Sequence, residues 1–159
     1  MTDASTSTTG DQATRPGGIV VGVDGSEHSL EALRWAVAEA RLRGSRIHVV
    51  GTFSTPVMST GYEVAVPDPT DLQAASETML AAAVDSVRSG GGLDGVQIDS
   101  EVLEGHAGER LIALSRDAEL IVVGSRGRGG FMGLLIGSVT TYVVHHAHCP
   151  VVVVRHETP

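Results

Sequence analysis

Apolar residues in this chain fall into short unbroken runs that alternate with stretches of helical spacing. Ile19-Val20-Val21-Gly22-Val23 is the first run, and it breaks at Asp24-Gly25-Ser26. Runs of this kind suit strands buried on both faces of a parallel sheet. Ser26 can cap the helix that follows, with Glu27 in its first turn. Leu30, Leu33, Val37 and Ala40 recur at helical spacing until Gly44 stops the pattern. A second strand is predicted at Ile47-His48-Val49-Val50, followed by a Thr/Ser/Pro-containing stretch, Phe53 to Pro69, too polar for core. Leu72, Met79, Leu80, Ala83 and Val87 mark a second helix, closed by Ser89 and Gly90 to Gly92. Val96 to Val102 alternates apolar and polar residues, as an edge strand does.

A third helix carries Leu111 and Leu114, and Leu120 to Val123 forms a fourth strand that breaks at Gly124. After a glycine-rich loop, Val139 to His146 reads as a final helix. Pro150 to Val154 closes the series as a fifth strand, with proline tolerable at its first position. Strands alternating with helices predict an α/β fold with an open five-stranded parallel sheet and helices on both faces. One domain is expected over residues 19–156. Residues 1–18, rich in Ser, Thr, Gly and Asp without apolar periodicity, are expected to be a disordered tail.

Composition narrows the function. A net charge of −8 argues against a nucleic-acid groove, which wants a basic surface. No apolar run reaches the ~18–20 residues needed to cross a bilayer, and no apolar leader is evident. With a single cysteine, Cys149, the chain carries no internal disulfide framework, and the cytoplasm is the expected location. All eleven cationic residues are arginine. The lysines of Walker A loops and kinases are therefore absent. Any phosphate must be held by backbone N–H groups, arginine or a metal ion.

The segment that can do so runs from Gly124 to Ser138: Gly124-Ser125-Arg126-Gly127-Arg128-Gly129-Gly130, then an apolar stretch Phe131 to Ile136, then Gly137-Ser138. It leaves a buried strand and enters a Ser-capped helix. Glycines let a ligand approach the backbone, successive N–H groups can form an anion nest, and the helix adds its dipole. Arg126 and Arg128 either assist a phosphate or point to solvent. The alternative is a plain surface loop, which the strand-loop-helix context disfavours. Asp24 ends the first strand. Beside the fourth strand it would stand at a topological switch point, where it could accept a ribose hydroxyl, hold a phosphate-bound metal ion, or simply support its turn.

Three blocks make this pattern specific. Gly124-x2-Gly127-x9-Gly137-Ser138, the opening Val21-Gly22-Val23-Asp24-Gly25-Ser26 and the closing His146-Ala147-His148-Cys149-Pro150-Val151 are all present. Together they resemble the universal stress protein family, over about Gly18 to Arg155. The resemblance implies a Rossmann-like sheet of order 3-2-1-4-5, ATP with Mg or Mn, and a homodimer. It places Gly22 and Asp24 at the ribose and phosphate end and the Thr52 backbone against adenine. Gly124, Gly127, Gly137, Ser138 and Val139 would hold ribose and phosphates. In that strand order, Val151 to Val154 would be an exposed apolar edge suited to pairing with a second copy.

The function implied is a nucleotide-dependent stress-response or signalling module. An AMP or cyclic-AMP sensor, a slow ATPase or nucleotidyl transferase, and a ligand-free dimer module are the competing readings. No general base accompanies the loop, and the SGGxDS-type loop of hydrolases with this architecture is missing, so at most weak ATP hydrolysis is expected and no catalytic residue is assigned. His145, His146 and His148 lack metal-site spacing and read as structural residues near a helix end. Cys149 reads as a small buried hydrophobe.

Overall fold

A computed structural model describes residues 17–56, 67–129, 133 and 135–156 of the chain. The expected tail up to residue 16, most of the polar stretch after the second strand, and Gly130, Phe131, Met132 and Leu134 lie outside the described residues.

The elements follow the alternating order: β1 Ile19–Gly22, α1 Glu27–Arg43, β2 Ile47–Phe53, α2 Pro69–Ser89, β3 Ile98–Glu104, α3 Ala107–Leu114, β4 Leu120–Gly124, α4 Ser138–His146 and β5 Val151–Val154. All pairings are parallel, and the sheet order is β3-β2-β1-β4-β5. Period-two alternation divides the strand side chains between two layers. Ile19, Val21, Ile47, Val49, Leu120 and Val122 pack against Leu33, Val37, Leu80 and Val84 of α1 and α2. Val20, Val50, Ile121 and Val123 face the other way, against Leu111 of α3 and Val143 of α4.

Ser26 caps α1 by accepting the Ser29 N–H at 3.2 Å, and Gly44 ends the helix in the left-handed conformation with φ 68°. Three boundaries differ from the sequence expectation. The β3 strand begins at Ile98 because Val96 is drawn into a turn, its N–H donating to the Leu93 carbonyl at 3.1 Å. The β2 strand runs on to Phe53 because every residue from Ile47 to Phe53 finds a β3 partner. Gly18, expected in the tail, is tied to the body by its carbonyl, which accepts the Glu119 N–H at 3.0 Å.

The direction in which successive strands are added across the sheet reverses between β1 and β4, while the strands themselves stay parallel. The connection from β1 leads outward to β2, while the one from β3 crosses back to β4. The loops leaving β1 and β4 therefore diverge and leave a crevice at the carboxyl ends of these strands.

Candidate nucleotide-binding cleft

That crevice is a cavity of about 260 Å³. Its floor is Gly22, Val23, Val123 and Gly124, at the ends of β1 and β4. The turn after β1 contributes Asp24, and α1 contributes Ser29; the loop after β4 and the start of α4 contribute Arg126, Gly127, Arg128 and Gly129 with Gly137, Ser138, Val139 and Thr140. Val50 and Thr52 of β2 and Ala107 and Leu111 of α3 add a mostly apolar lining.

Asp24 is held by its own turn and by the loop after β4. Its Oδ1 accepts the Ser26 N–H at 3.0 Å and the Ser26 hydroxyl at 2.6 Å. Its Oδ2 accepts the Arg128 N–H at 2.8 Å. Burial pushes the carboxyl pKa up, but the hydrogen bonds from Ser26, Arg128 and Ser29 outweigh it and hold the group below the ordinary carboxylate range. A Cβ on Gly127 would stand 2.5 Å from Oδ2, so glycine is what lets the carboxylate reach the loop. Gly25, at φ 81°, turns the chain beneath the Arg128 guanidinium; its own Cβ would meet Nη2 at 3.0 Å.

The loop after β4 is pinned at its base. Ser125 donates its N–H to the Val154 carbonyl at 2.7 Å, and its carbonyl accepts the Gly137 N–H at 2.7 Å. Thr140 donates its hydroxyl to the Gly124 carbonyl at 2.7 Å, fixing α4 to the end of β4. Gly124 is a necessary close approach: a Cβ there would lie 2.6 Å from the His28 carbonyl carbon.

The helix that follows is capped by Gly137, not by Ser138, which is the first helical residue. Gly137 sits in extended conformation and supplies no side-chain acceptor. The first turn of α4 therefore lacks a side-chain cap, and its residues Ser138, Val139 and Thr140 line the cleft at the positive end of the helix dipole.

Of the residues singled out from sequence, Gly22, Asp24, Thr52, Gly124, Arg126, Gly127, Arg128, Gly129, Gly137, Ser138 and Val139 are brought together around this cavity. Ser125 is not; its side chain is buried and directed at His28, with Oγ 3.1 Å from Nδ1. Gly130 lies outside the described residues. Residues the sequence reading passed over are Val50, Ala107 and Leu111, which look like ordinary core positions, and Ser29 and Thr140, whose role depends on contacts across the fold. His106 caps α3 without a side-chain bond, and Ala107 beside it reaches the cavity.

His145, His146 and His148, near the end of α4, are exposed. His146 stacks on Tyr142 with ring centroids 4.4 Å apart, its Nδ1 lies 2.8 Å from the Tyr142 carbonyl oxygen, and the His148 N–H donates to Ser115 Oγ at 3.0 Å. No group of three potential metal ligands occurs among the described residues. Cys149 is half-buried, and burial raises its thiol pKa. No described helix is long and apolar enough to cross a membrane.

Comparison with known proteins agrees with this architecture. The universal stress protein Rv2624c of Mycobacterium tuberculosis is 37% identical over 138 residues, covering 86% of this chain and 47% of that protein. The chain thus spans about half the length of the curated relatives it matches. Among solved structures, the universal stress protein UspA from Lactobacillus plantarum superposes with a TM-score of 0.68 at 25% identity, covering 89% of this chain and 99% of that one. A universal stress protein in complex with cAMP superposes with a TM-score of 0.66 at 22% identity, covering 91% and 100%. The sequence profile of the universal stress protein family matches residues 17–155, and the chain belongs to that family.

Proposed function

We propose that this chain is an adenine-nucleotide-binding module whose occupancy sets its conformation or its partners in a stress or signalling response. One observation carries the reading. The Asp24 carboxylate, the glycine loop and the first turn of α4, which lacks a side-chain cap, line a single cavity at the switch point of the sheet. The mostly apolar lining that includes Thr52 and Leu111 suits a purine. Asp24 and Gly124 suit the ribose, and Gly127, Gly129, Gly137, Ser138 and Val139 suit phosphates, with Arg126 and Arg128 at the rim.

ATP with Mg or Mn is the form that the resemblance of the Gly124-x2-Gly127-x9-Gly137-Ser138 pattern to the family's nucleotide signature suggests. Magnesium keeps several waters and needs few protein carboxylates, so Asp24 would suffice as its protein anchor. A second reading is a monophosphate, AMP or cyclic AMP, bound without a metal ion. It is supported by Asp24 itself, the one carboxylate lining the cavity among the described residues, whose two oxygens already accept three hydrogen bonds. A homodimer through β5 completes the proposal, since this strand is an edge of the sheet.

The deciding experiment is mass spectrometry of nucleotide released on denaturing freshly purified protein, followed by calorimetry with ATP, AMP and cyclic AMP, each with and without magnesium. Micromolar binding of any one supports the module. Absence of binding for all three would overturn it.

A further inference from the structure

His28 does not line the cavity and has no part in the nucleotide reading above, yet it joins three separate parts of the chain. It lies in the first turn of α1. Its Nδ1 receives the backbone N–H of His156, just beyond β5, at 3.2 Å, and lies 3.1 Å from the Ser125 hydroxyl. A backbone N–H can only donate, so Nδ1 carries no proton and the ring is the neutral Nε2–H tautomer. The Ser125 hydroxyl then donates to the same nitrogen. Ser125 in turn holds the base of the glycine loop, through its N–H to Val154 and its carbonyl to Gly137.

We propose that His28 is a positioning residue of the nucleotide loop, and that its protonation releases the segment after β5 and loosens the loop at Ser125. The proposal rests on the nucleotide reading of the cavity. A proton on Nδ1 would place N–H against N–H at His156, so that contact must break. The Ser125 hydroxyl would have to turn and accept instead of donate.

The charged groups around the ring favour the neutral form at ordinary pH. Burial lowers the His28 pKa; His156 after β5 and Arg126 of the loop act the same way, and Asp24 in the turn after β1 opposes them. Glu31, on the next turn of α1, faces His156, with Oε1 4.0 Å from the His156 Nδ1. With a folded pKa below the ordinary value of about 6.5, the pinned state is complete above that pH and is lost as pH falls through the lowered value. The β5 edge ends beside the same contact, so the proton would act on the loop and on the end of the edge strand together.

The test is nucleotide affinity at pH 7.5 and pH 4.5 for the wild type and His28→Gln, with ATP and AMP as probes. Glutamine is neutral and can still accept a hydrogen bond. Expected is a fall of at least fivefold on acidification in the wild type and a profile flat to within twofold in His28→Gln. An equal fall in both proteins overturns the proposal, as does a wild type whose affinity is unchanged.

A ligand-free measurement separates this from failure of the nucleotide reading. Protection factors of the Ser125 and His156 amides against hydrogen exchange should fall at least tenfold between the two pH values in the wild type and hold in the variant. Equal behaviour of the two proteins there sinks the His28 assignment. Should neither probe bind at pH 7.5, the nucleotide reading fails and the exchange result alone decides. If His28→Gln does not fold, the tautomer decides: a nitrogen NMR signature of Nδ1–H at pH 7.5 in the wild type contradicts the proposal, and Nε2–H supports it.

Discussion

The Arg128 N–H donates to Asp24 Oδ2 at 2.8 Å across 104 residues of sequence, closing the turn after β1 onto the loop after β4. With Ser26 on the other oxygen, the carboxylate bridges the two strands that flank the switch point. The bridge shapes the cavity through the chain's own contacts. Preorganised contacts of this kind raise affinity by removing ordering costs from the binding step.

Asp24→Asn should therefore weaken nucleotide binding by at least tenfold, about 1.4 kcal/mol. Whichever way the amide lies, its NH2 group meets an N–H or O–H donor, from Arg128 or from Ser26. Calorimetry checks the affinity, and repeating it with and without magnesium separates the two readings. Loss of metal dependence in Asp24→Ala indicates ATP with its cation, and an unchanged metal response indicates a ribose contact. The pKa of Asp24 is lowered, so the bridge is complete above the ordinary value of about 3.9 and is lost as pH falls through the lowered value. Acidification from pH 8 to pH 6 should leave it intact. Full affinity in Asp24→Asn would confine Asp24 to supporting its turn.

The glycines of the loop divide into two experiments. A Cβ on Gly127 meets Asp24 before it meets any ligand, so loss of binding in Gly127→Val mixes two causes. Around Gly129 no atom of the described residues, its chain neighbours aside, lies within 4 Å of where a Cβ would stand, and its backbone is not left-handed. Gly129→Val should leave folding untouched, with denaturation midpoints matching the wild type, and cut nucleotide affinity by about tenfold or more. Unchanged affinity in that variant removes Gly129 from the phosphate site.

Much of this architecture is legible in the amino-acid order. The unbroken apolar runs Ile19-Val20-Val21 and Leu120 to Val123 require two buried faces, because successive side chains must find separate apolar layers. Ser26 and Gly44 bracket α1 by local chemistry alone. The start of β3 is not legible, because pairing with β2 sets its register, Ile98 against Ile47, and its own alternation does not. The cap of α4 falls one residue before the serine because Gly137, in extended conformation, already makes the turn. Ser125 belongs to the glycine motif by position, but its partner His28 lies 97 residues away, and no local pattern announces such a contact.

Thr140 provides a stability test independent of ligand. Its buried hydroxyl is the bond between α4 and the Gly124 carbonyl. Thr140→Val keeps the shape and removes the donor. The expected cost is about 1–3 kcal/mol, the penalty for losing a buried hydrogen bond. Urea denaturation measures it, and a change below the error of the extrapolation would show that water replaces the hydroxyl. Because the first turn of α4 lines the cavity, nucleotide affinity should fall as well.

The last prediction concerns the β5 edge. The Pro150 and Val154 carbonyls accept N–H groups from Ile121 and Ser125, so these residues point their polar groups toward β4. By the two-residue alternation of a strand, Val152 does the same, while Val151 and Val153 direct N–H and C=O outward. An unpaired edge of this kind is a template for a second copy, and a two-fold axis would join two β5 strands antiparallel. Lysine at Val152 or Val154 is a poor probe, because both side chains pack against the core on the α1 face. Proline at Val153 is a better one, since it deletes an outward N–H and leaves the β4 ladder whole. Light scattering at micromolar concentration should show a homodimer for the wild type and a monomer for Val153→Pro. Circular dichroism should report the same secondary structure for both. A wild type that is monomeric, or a folded Val153→Pro that remains dimeric, places the association elsewhere or abolishes it.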